Sequence, residues 1–289
     1  MRIKFIGNPK AGKENLRKIK MAVHCLRESA ADVQTFVTGK KGDAEAWARE
    51  STTEGVDRVV VAGGDGTINE AINGLAGSTI PLGIIPLGVS NVLSLELGLP
   101  LSIERASETA LNGAVKSITL GMANNRYFSL WTGIGFDAEV VCRLNLRFKP
   151  YLGKLAYILT GLKVFLKYKA YLIDIITDTG EQLKGYSAII SKSKFYGGRF
   201  KVTPEAGINK EELDICLFQN GTRRDILRYV LGIVTGRHLS FRDVVYRKVK
   251  GLKITSQGRV PVHIDGDCFG ELPVEISLKT DAVKLVFPK

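Results

Sequence analysis

Apolar residues along the first 117 positions come in short dense runs, alternating with stretches where they recur every third or fourth residue. Runs at 2–6, 33–38, 59–62 and 80–86 are short, and Val59-Val60-Val61-Ala62 is rich in β-branched residues, which predicts strands. The intervening spacing predicts helices at 14–29 and 42–54, another entered at Thr67, and one more after residue 91. Strands alternating with helices at short intervals predict a doubly wound parallel sheet. The loops at 7–13, 38–43, 63–67 and 86–91 all follow strands and so line one crevice.

The rhythm changes near residue 117. From there short strands joined by Asn and Gly turns are expected at 171–178, 185–192, 200–204, 213–218, 252–256, 260–265 and 274–286. Helical segments at about 150–169 and 222–236 interrupt them. The division expected is an N-terminal α/β domain over 1–118 and a β-rich, mostly antiparallel domain over 119–280.

The chemistry concentrates at Gly63-Gly64-Asp65-Gly66-Thr67, between a buried strand and a helix. The expectation is a tight glycine turn with Thr67 as N-cap and Glu70 three residues on, completing a capping box. Strand, glycine turn and helix N-terminus together form a phosphate site, because amides point outward and no Cβ blocks approach. Asp65 in that turn would repel a phosphate unless a metal lay between, which points to a magnesium nucleotide. The dinucleotide fingerprint is excluded, since its third glycine would fall at Asn69.

A second glycine loop, Gly7 to Lys13, has the spacing of a Walker A motif. Glu14 stands where the magnesium-binding hydroxyl belongs and Pro9 removes an amide donor, so a true P-loop is not expected. Asn8 and Lys13 remain candidates beside the phosphates. The loop after residue 86 adds Gly88 and Ser90.

With 289 residues and 45% hydrophobic content, the chain suits one large or two ordinary globular domains. A net charge of +12 favours an anionic partner. Cys25, Cys142, Cys216 and Cys268 show no close pairing, so neither a disulfide framework nor a zinc site is expected, and a reducing cytoplasm is. No leader-like apolar segment or 18-residue apolar run is present, and a cytosolic protein that visits a membrane from outside is expected. Between Glu139 and Asp174 there is no acidic residue, while Arg143, Arg147, Lys149, Lys154, Lys163, Lys167 and Lys169 are basic. Leu155, Ile158, Leu159, Leu162, Phe165 and Leu166 form an apolar stripe there. That is the pattern of a helix lying on anionic lipid. An ordinary amphipathic helix bracing its own domain would show the same stripe.

Near the end, Asp265-Gly266-Asp267 closes an apolar strand, placing two carboxylates where they can deprotonate a hydroxyl or hold magnesium. The same three residues also make a plain hairpin turn. His263 reads as a strand side chain, and His24 and His238 show no partners for a Ser-His-Asp arrangement.

Taken together, NPKAGK at 8–13, GGDGTINEAINGL at 63–75, PLGVSN at 86–91, GIGFDAEV at 133–140, YGGRFKVTPEA at 196–206 and HIDGD at 263–267 resemble the diacylglycerol kinase catalytic-domain family. The family includes bacterial lipid kinases and the sphingosine and ceramide kinases. The resemblance implies a nucleotide-binding α/β domain, completed by 281–289, and a β-rich domain, with ATP and lipid meeting between them. It places Asn8, Thr38, Gly64, Asp65, Gly66, Thr67, Asn69 and Glu70 around the nucleotide, and Asp265 and Asp267 as the carboxylates that activate the acceptor hydroxyl. The chain departs from the family pattern in three places. Val89 replaces a threonine beside Ser90, Asp267 replaces a glutamate, and Lys210-Glu211 replace the Asp-Gly of a magnesium site at 209–214.

The function expected is an ATP-dependent lipid kinase using Mg2+ at Asp65, acting at an anionic membrane surface. No nucleic-acid partner is expected and a homodimer is left open. A kinase of a soluble acceptor in the NAD-kinase manner, or a catalytically weak nucleotide-binding regulator, are the alternatives. The acid-free segment favours the lipid acceptor over the soluble one.

Overall fold

The computed structural model describes residues 1–10, 13–29, 32–144 and 154–289. They form two compact units, residues 1–120 with 279–289, and residues 121–278.

The first unit runs β1 (Arg2–Gly7), α1 (Lys13–Ser29), β2 (Asp32–Val37), α2 (Asp43–Glu50), β3 (Arg58–Gly63), α3 (Asp65–Leu75), β4 (Leu82–Pro86), α4 (Val92–Glu96) and α5 (Ile103–Asn112). Its strands are parallel in the order β2-β1-β3-β4, the doubly wound arrangement expected. The chain steps outward from β1 to β2, then returns to build β3 and β4 on the other side. Its switch point therefore falls between the carboxyl ends of β1 and β3, where such sheets bind ligands. Ile3, Phe5, Val60, Ala62 and Ile85 bury themselves against Ile19, Ala22 and Leu26 of α1 and Ala106 and Ala110 of α5. Near the C-terminus, Leu285 pairs in parallel with Leu82.

The second unit takes up the chain within β5 (Ala114–Ala123) and continues through β6 (Arg126–Phe128), β7 (Trp131–Ile134), α6 (Phe136–Arg143), α7 (Lys154–Lys167), β8 (Ile173–Thr177), β9 (Gln182–Gly185) and β10 (Ser187–Ser191). Then follow β11 (Leu213–Phe218), α8 (Arg223–Thr235), β12 (Val244–Val249), β13 (Gly251–Ser256), β14 (Pro261–Ile264), β15 (Asp267–Glu271) and β16 (Val274–Phe287). Six strands form an antiparallel sheet ordered β12-β11-β10-β7-β14-β15. A second antiparallel set pairs β9, β8, β13 and the start of β16. Ile134, Ile190, Ile215 and Val262 from the first set share one core with Ile173, Ile175, Leu252, Ile254 and Ile276 from the second.

Several local expectations change. No strand forms at 200–204, where Tyr196 and Phe200 make one isolated bridge and Thr203 turns inward to bond the Ser193 carbonyl at 3.2 Å. The helix expected over 42–54 is α2 followed by a 3-10 turn at Ser51–Thr53. Cys142 on α6 and Cys268 on β15 form a disulfide across 126 residues of sequence, whereas Cys25 and Cys216 are free. Sequence spacing hides that pair, because only the placement of α6 along β14 and β15 brings it together. Among the described residues no helix is long and apolar enough to cross a membrane.

Candidate active site

At the switch point of the first unit, Asn8 leaves β1 and donates its amide to the Ala62 carbonyl at 2.9 Å. Its side-chain Nδ2 donates to Thr67 Oγ1 at 2.7 Å, joining the loops after β1 and β3. Thr67 is thus no N-cap. Gly64 takes that place in extended conformation (φ −91°, ψ 177°), its carbonyl accepting the Ile68 amide at 3.1 Å. Helix α3 therefore starts at Asp65, and the amides of its first turn have no acceptor within the helix. Gly63 is required because a Cβ there would come within 2.8 Å of the Thr67 side chain.

The loop after β4 closes on the same turn. Leu87 donates its amide to the Gly63 carbonyl at 2.9 Å. Gly64 and Gly88 press backbone to backbone, and a Cβ on Gly88 would lie 2.7 Å from the Gly64 Cα. Asn91, at φ 45°, fixes this loop by accepting the Gly88 amide and donating to the Gly88 carbonyl, both at 2.8 Å. Asp65 Oδ1 accepts the Leu93 amide at 3.2 Å, so the carboxylate is oriented by the first turn of α4. Ser90 is half-buried, whereas Val89 projects into solvent.

Thr38 follows β2, its amide bonded to the Gly7 carbonyl at 2.9 Å. Its hydroxyl is buried, with no hydrogen-bond partner among the described residues. Asn69 and Glu70 lie further along α3, with Asn69 Oδ1 accepting from Asn73 Nδ2 at 3.0 Å. Lys13 heads α1, and its side chain lies outside the described residues, as do Ala11 and Gly12.

These residues fit an anionic phosphate: a glycine cradle that a Cβ would fill, a helix N-terminus, and a buried hydroxyl awaiting a partner. No group of three or more His, Cys, Asp and Glu able to hold a metal occurs among the described residues. Asp65 alone suits an ion such as Mg2+ that takes one or two carboxylates and keeps the rest of its shell as phosphate and water.

In the second unit, Asp265 (φ 47°) and Gly266 (φ 81°) make the two-residue turn between β14 and β15. Asp265 Oδ1 accepts the amides of Leu130 and Trp131 at 3.0 and 2.9 Å, and Oδ2 accepts the Ser129 amide at 2.9 Å and its hydroxyl at 3.2 Å. Four donors commit this carboxylate to latching the turn onto residues 129–131. Asp265 therefore carries a structural load in this turn, besides the role expected from its place in the motif. Asp267, the second carboxylate of the motif, is half-buried at the head of β15.

Behind that turn sits a network that motif spacing does not announce. The fully buried His263 accepts the Gly266 amide at Nδ1 (3.4 Å) and donates from Nε2 to Asp137 Oδ2 at 2.6 Å. The Tyr196 hydroxyl donates to Asp137 Oδ1. Burial pushes the Asp137 carboxyl up, but His263 and the two hydrogen bonds outweigh it and hold it below its ordinary value. Gly133 must be glycine, since a Cβ there would collide with both Asp137 and His263. The signal available in the sequence was that Asp137 and Tyr196 lie inside two of the recognised stretches, 133–140 and 196–206.

The basic segment is described from Lys154 onward, and of the Lys154 and Leu155 side chains nothing is described, while Arg147 and Lys149 lie outside the described residues. On α7, Ile158, Leu162 and Leu166 are 66%, 60% and 59% exposed, with Lys163 and Lys167 beside them, whereas Val164 faces inward. Those three stripe residues face solvent, although the helix itself packs against α6. Helix α8 repeats the pattern: Ile226 and Tyr229 are buried, while Leu227, Val230, Leu231 and Val234 are 41–57% exposed. The two helices are tied where Arg223 Nη2 donates to the Leu166 carbonyl at 2.7 Å.

Residues 2–123 match the diacylglycerol kinase catalytic domain, and residues 131–287 match the YegS C-terminal NAD kinase beta sandwich-like domain. A diacylglycerol kinase of Bacillus subtilis is 28% identical over 294 residues, covering 100% of this chain and 97% of that protein. One from Mycobacterium tuberculosis is 29% identical, covering 93% of this chain and 89% of its own. A crystal structure of a diacylglycerol kinase from Bacillus anthracis superimposes with a TM-score of 0.80 at 25% identity, covering 99% of this chain and 96% of that one. With both matched domains present in order, and the glycine loops and Asp-Gly-Asp turn in place, the chain belongs to the diacylglycerol kinase catalytic-domain family.

Proposed function

We propose that this protein transfers the γ-phosphate of ATP to the hydroxyl of a membrane lipid, diacylglycerol or a related acceptor. The observation that carries the reading is the meeting of the two glycine loops at Gly64 and Gly88 beside the N-terminus of α3, with the Asn8–Thr67 hydrogen bond across the switch point. Amides of this turn and the first turn of α3 hold the phosphates, and Asn8, Thr38 and Thr67 supply polar contacts. Ser90 supplies the hydroxyl in the loop where the family's threonine is replaced by Val89. Asp65 holds magnesium, which when bound withdraws charge from the phosphates. Asp267 takes the proton of the acceptor hydroxyl as the new O–P bond forms and the bond to the departing ADP breaks.

Support for a lipid acceptor comes from the second unit. Contiguous apolar surface on a monomer is normally limited, and α7 and α8 both expose apolar stripes beside Lys163, Lys167, Arg223 and Arg224. Apolar side chains flanked by cations, with no acidic residue from 140 to 173, fit the surface of an anionic bilayer. The experiment is incubation with γ-labelled ATP and a total lipid extract. Label in the organic phase is expected. Label confined to a water-soluble product replaces the lipid with a soluble acceptor, and no transfer reduces the protein to a nucleotide-binding regulator.

A further inference from the structure

The family resemblance implies a magnesium site at 209–214, and the residues there do not fit one. Lys210 and Glu211 occupy the positions of Asp and Gly, so Asp214 alone remains of that pattern's two aspartates. What enters the turn is Lys192, which follows β10 and is fully buried. Its ammonium donates to the Lys210 carbonyl and, at 3.4 Å, to the Glu212 carbonyl. Asp214, equally buried, receives the Tyr246 hydroxyl on Oδ1 at 2.6 Å, while its Oδ2 has no hydrogen-bond partner among the described residues.

Two more ammonium groups complete the neutralisation. Lys248 Nζ lies 3.2 Å from Glu212 Oε1 and 3.1 Å from Glu205 Oε2. Lys210 Nζ donates to the Glu205 carbonyl at 2.5 Å. Carbonyl oxygens and a buried carboxylate turned inward are the ligand set of a hard cation. An ammonium with three N–H donors satisfies the two carbonyls without any ion, and its charge offsets that of Asp214 at longer range. Burial pulls the Lys192 pKa down to about 8, with the charge of Asp214 opposing it, so the group is still largely protonated at neutral pH.

We propose that the Lys192 ammonium is the built-in cation of the 207–214 turn, so that this part of the protein needs no divalent metal. The full chain, stripped with EDTA and free of nucleotide, is melted in EDTA and in millimolar Mg2+ or Ca2+. The wild-type curves should coincide. Lys192→Met should lower the melting temperature by several degrees, because it leaves Asp214 as an uncompensated buried charge. The double variant Lys192→Met/Asp214→Asn should recover part of that loss, and it carries the comparison if the single variant does not fold. A magnesium response that vanishes in Asp65→Asn belongs to the nucleotide site and upholds the proposal. It is overturned if chelation lowers the wild-type melting temperature and Asp214→Asn abolishes that response. It is equally overturned if Lys192→Met melts with the wild type, or if the double variant recovers nothing.

Discussion

His263 Nε2 stands 2.6 Å from Asp137 Oδ2, and the same ring takes the Gly266 amide on Nδ1 at 3.4 Å. The imidazole therefore ties the start of α6 to the turn that precedes Asp267, five residues before the Cys142–Cys268 link ties α6 to the next strand position. Removing the acceptor leaves a buried histidine and a tyrosine hydroxyl without their partner. Asp137→Ala is expected to cost about 3 kcal/mol or more in urea unfolding, and Tyr196→Phe about 1 kcal/mol. In folded protein, His263→Gln should lower kcat while leaving the KM for ATP near normal, since the ring bonds the turn that carries Asp267. Equal loss of ATP affinity would show that the network has no specific relation to Asp267.

Asp265 and Asp267 should separate cleanly. Asp267→Asn is expected to fold and bind ATP near normally while transfer falls by about 10²-fold or more, as for loss of a positioned base. Asp267→Glu, with the family's longer side chain, should keep or raise activity. Asp265→Asn should instead lower the unfolding midpoint, because one of its oxygens becomes a donor facing the amides of residues 129–131. A stable, inactive Asp265→Asn would return that residue to the chemistry.

Asp65→Asn is expected to reduce turnover by about 10²–10³-fold, the range for removal of a preorganised electrostatic group. Its fold should survive, because an amide oxygen can still accept from Leu93. Isothermal titration with Mg-ATP, compared with ATP alone, should show the magnesium enhancement lost. Retention of that enhancement would move the metal away from Asp65.

Stability at low pH should report on Asp243, which accepts from Arg228, from Tyr229 at 2.6 Å and from Asn220 at 2.7 Å. Partial burial pushes its carboxyl up, but these hydrogen bonds outweigh it and hold the pKa at about 2. A carboxyl held lower in the folded than in the unfolded chain stabilises at pH values above the unfolded value near 4. That contribution disappears as pH falls from about 4 to 2, and after solvent screening it is roughly 1 kcal/mol. Asp243→Asn should be less stable than wild type at pH 6, with the gap closing by pH 2. A gap that persists would assign the loss to lost contacts, not to charge.

The parallel strands β1, β3 and β4 were legible because buried parallel strands are nearly continuous apolar runs. β12, Val-Val-Tyr-Arg-Lys-Val, is not, since it lies at a sheet edge and carries charge on its outward face. Glycine loops marked the candidate phosphate cradle, but their capping geometry turned on Gly64 pressing against Gly88, a contact between loops 24 residues apart. Sequence cannot distinguish Asp265 from Asp267, two carboxylates straddling one glycine, because the difference is which of them meets the amides of 129–131. Lys192 was equally invisible: one lysine among a surplus of basic residues reveals its burial only when β10 and β11 bring it beside Asp214.

The last prediction concerns the exposed faces of α7 and α8. A lipid acceptor leaves the bilayer at a cost of about 0.8 kcal/mol for each CH₂ exposed to water, so the protein must go to the surface. Two forces then act there, and they respond differently to salt. Attraction of Lys163 and Lys167 to anionic lipid, about 1 kcal/mol each, is screened over a Debye length of about 8 Å at physiological ionic strength. Insertion of Leu227, Leu231 and Val234 is not screened. Sedimentation with anionic vesicles should therefore weaken with salt in the wild type without vanishing. Lys163→Glu/Lys167→Glu should abolish binding at low salt, whereas Leu227→Ser/Leu231→Ser should bind at low salt and lose what remains at high salt. Transfer to a short-chain, monomeric acceptor should survive in both, because neither variant touches the glycine loops or Asp267. If wild-type protein ignores anionic vesicles even at low salt, these faces meet something other than lipid, and a soluble acceptor becomes the better account of the chemistry.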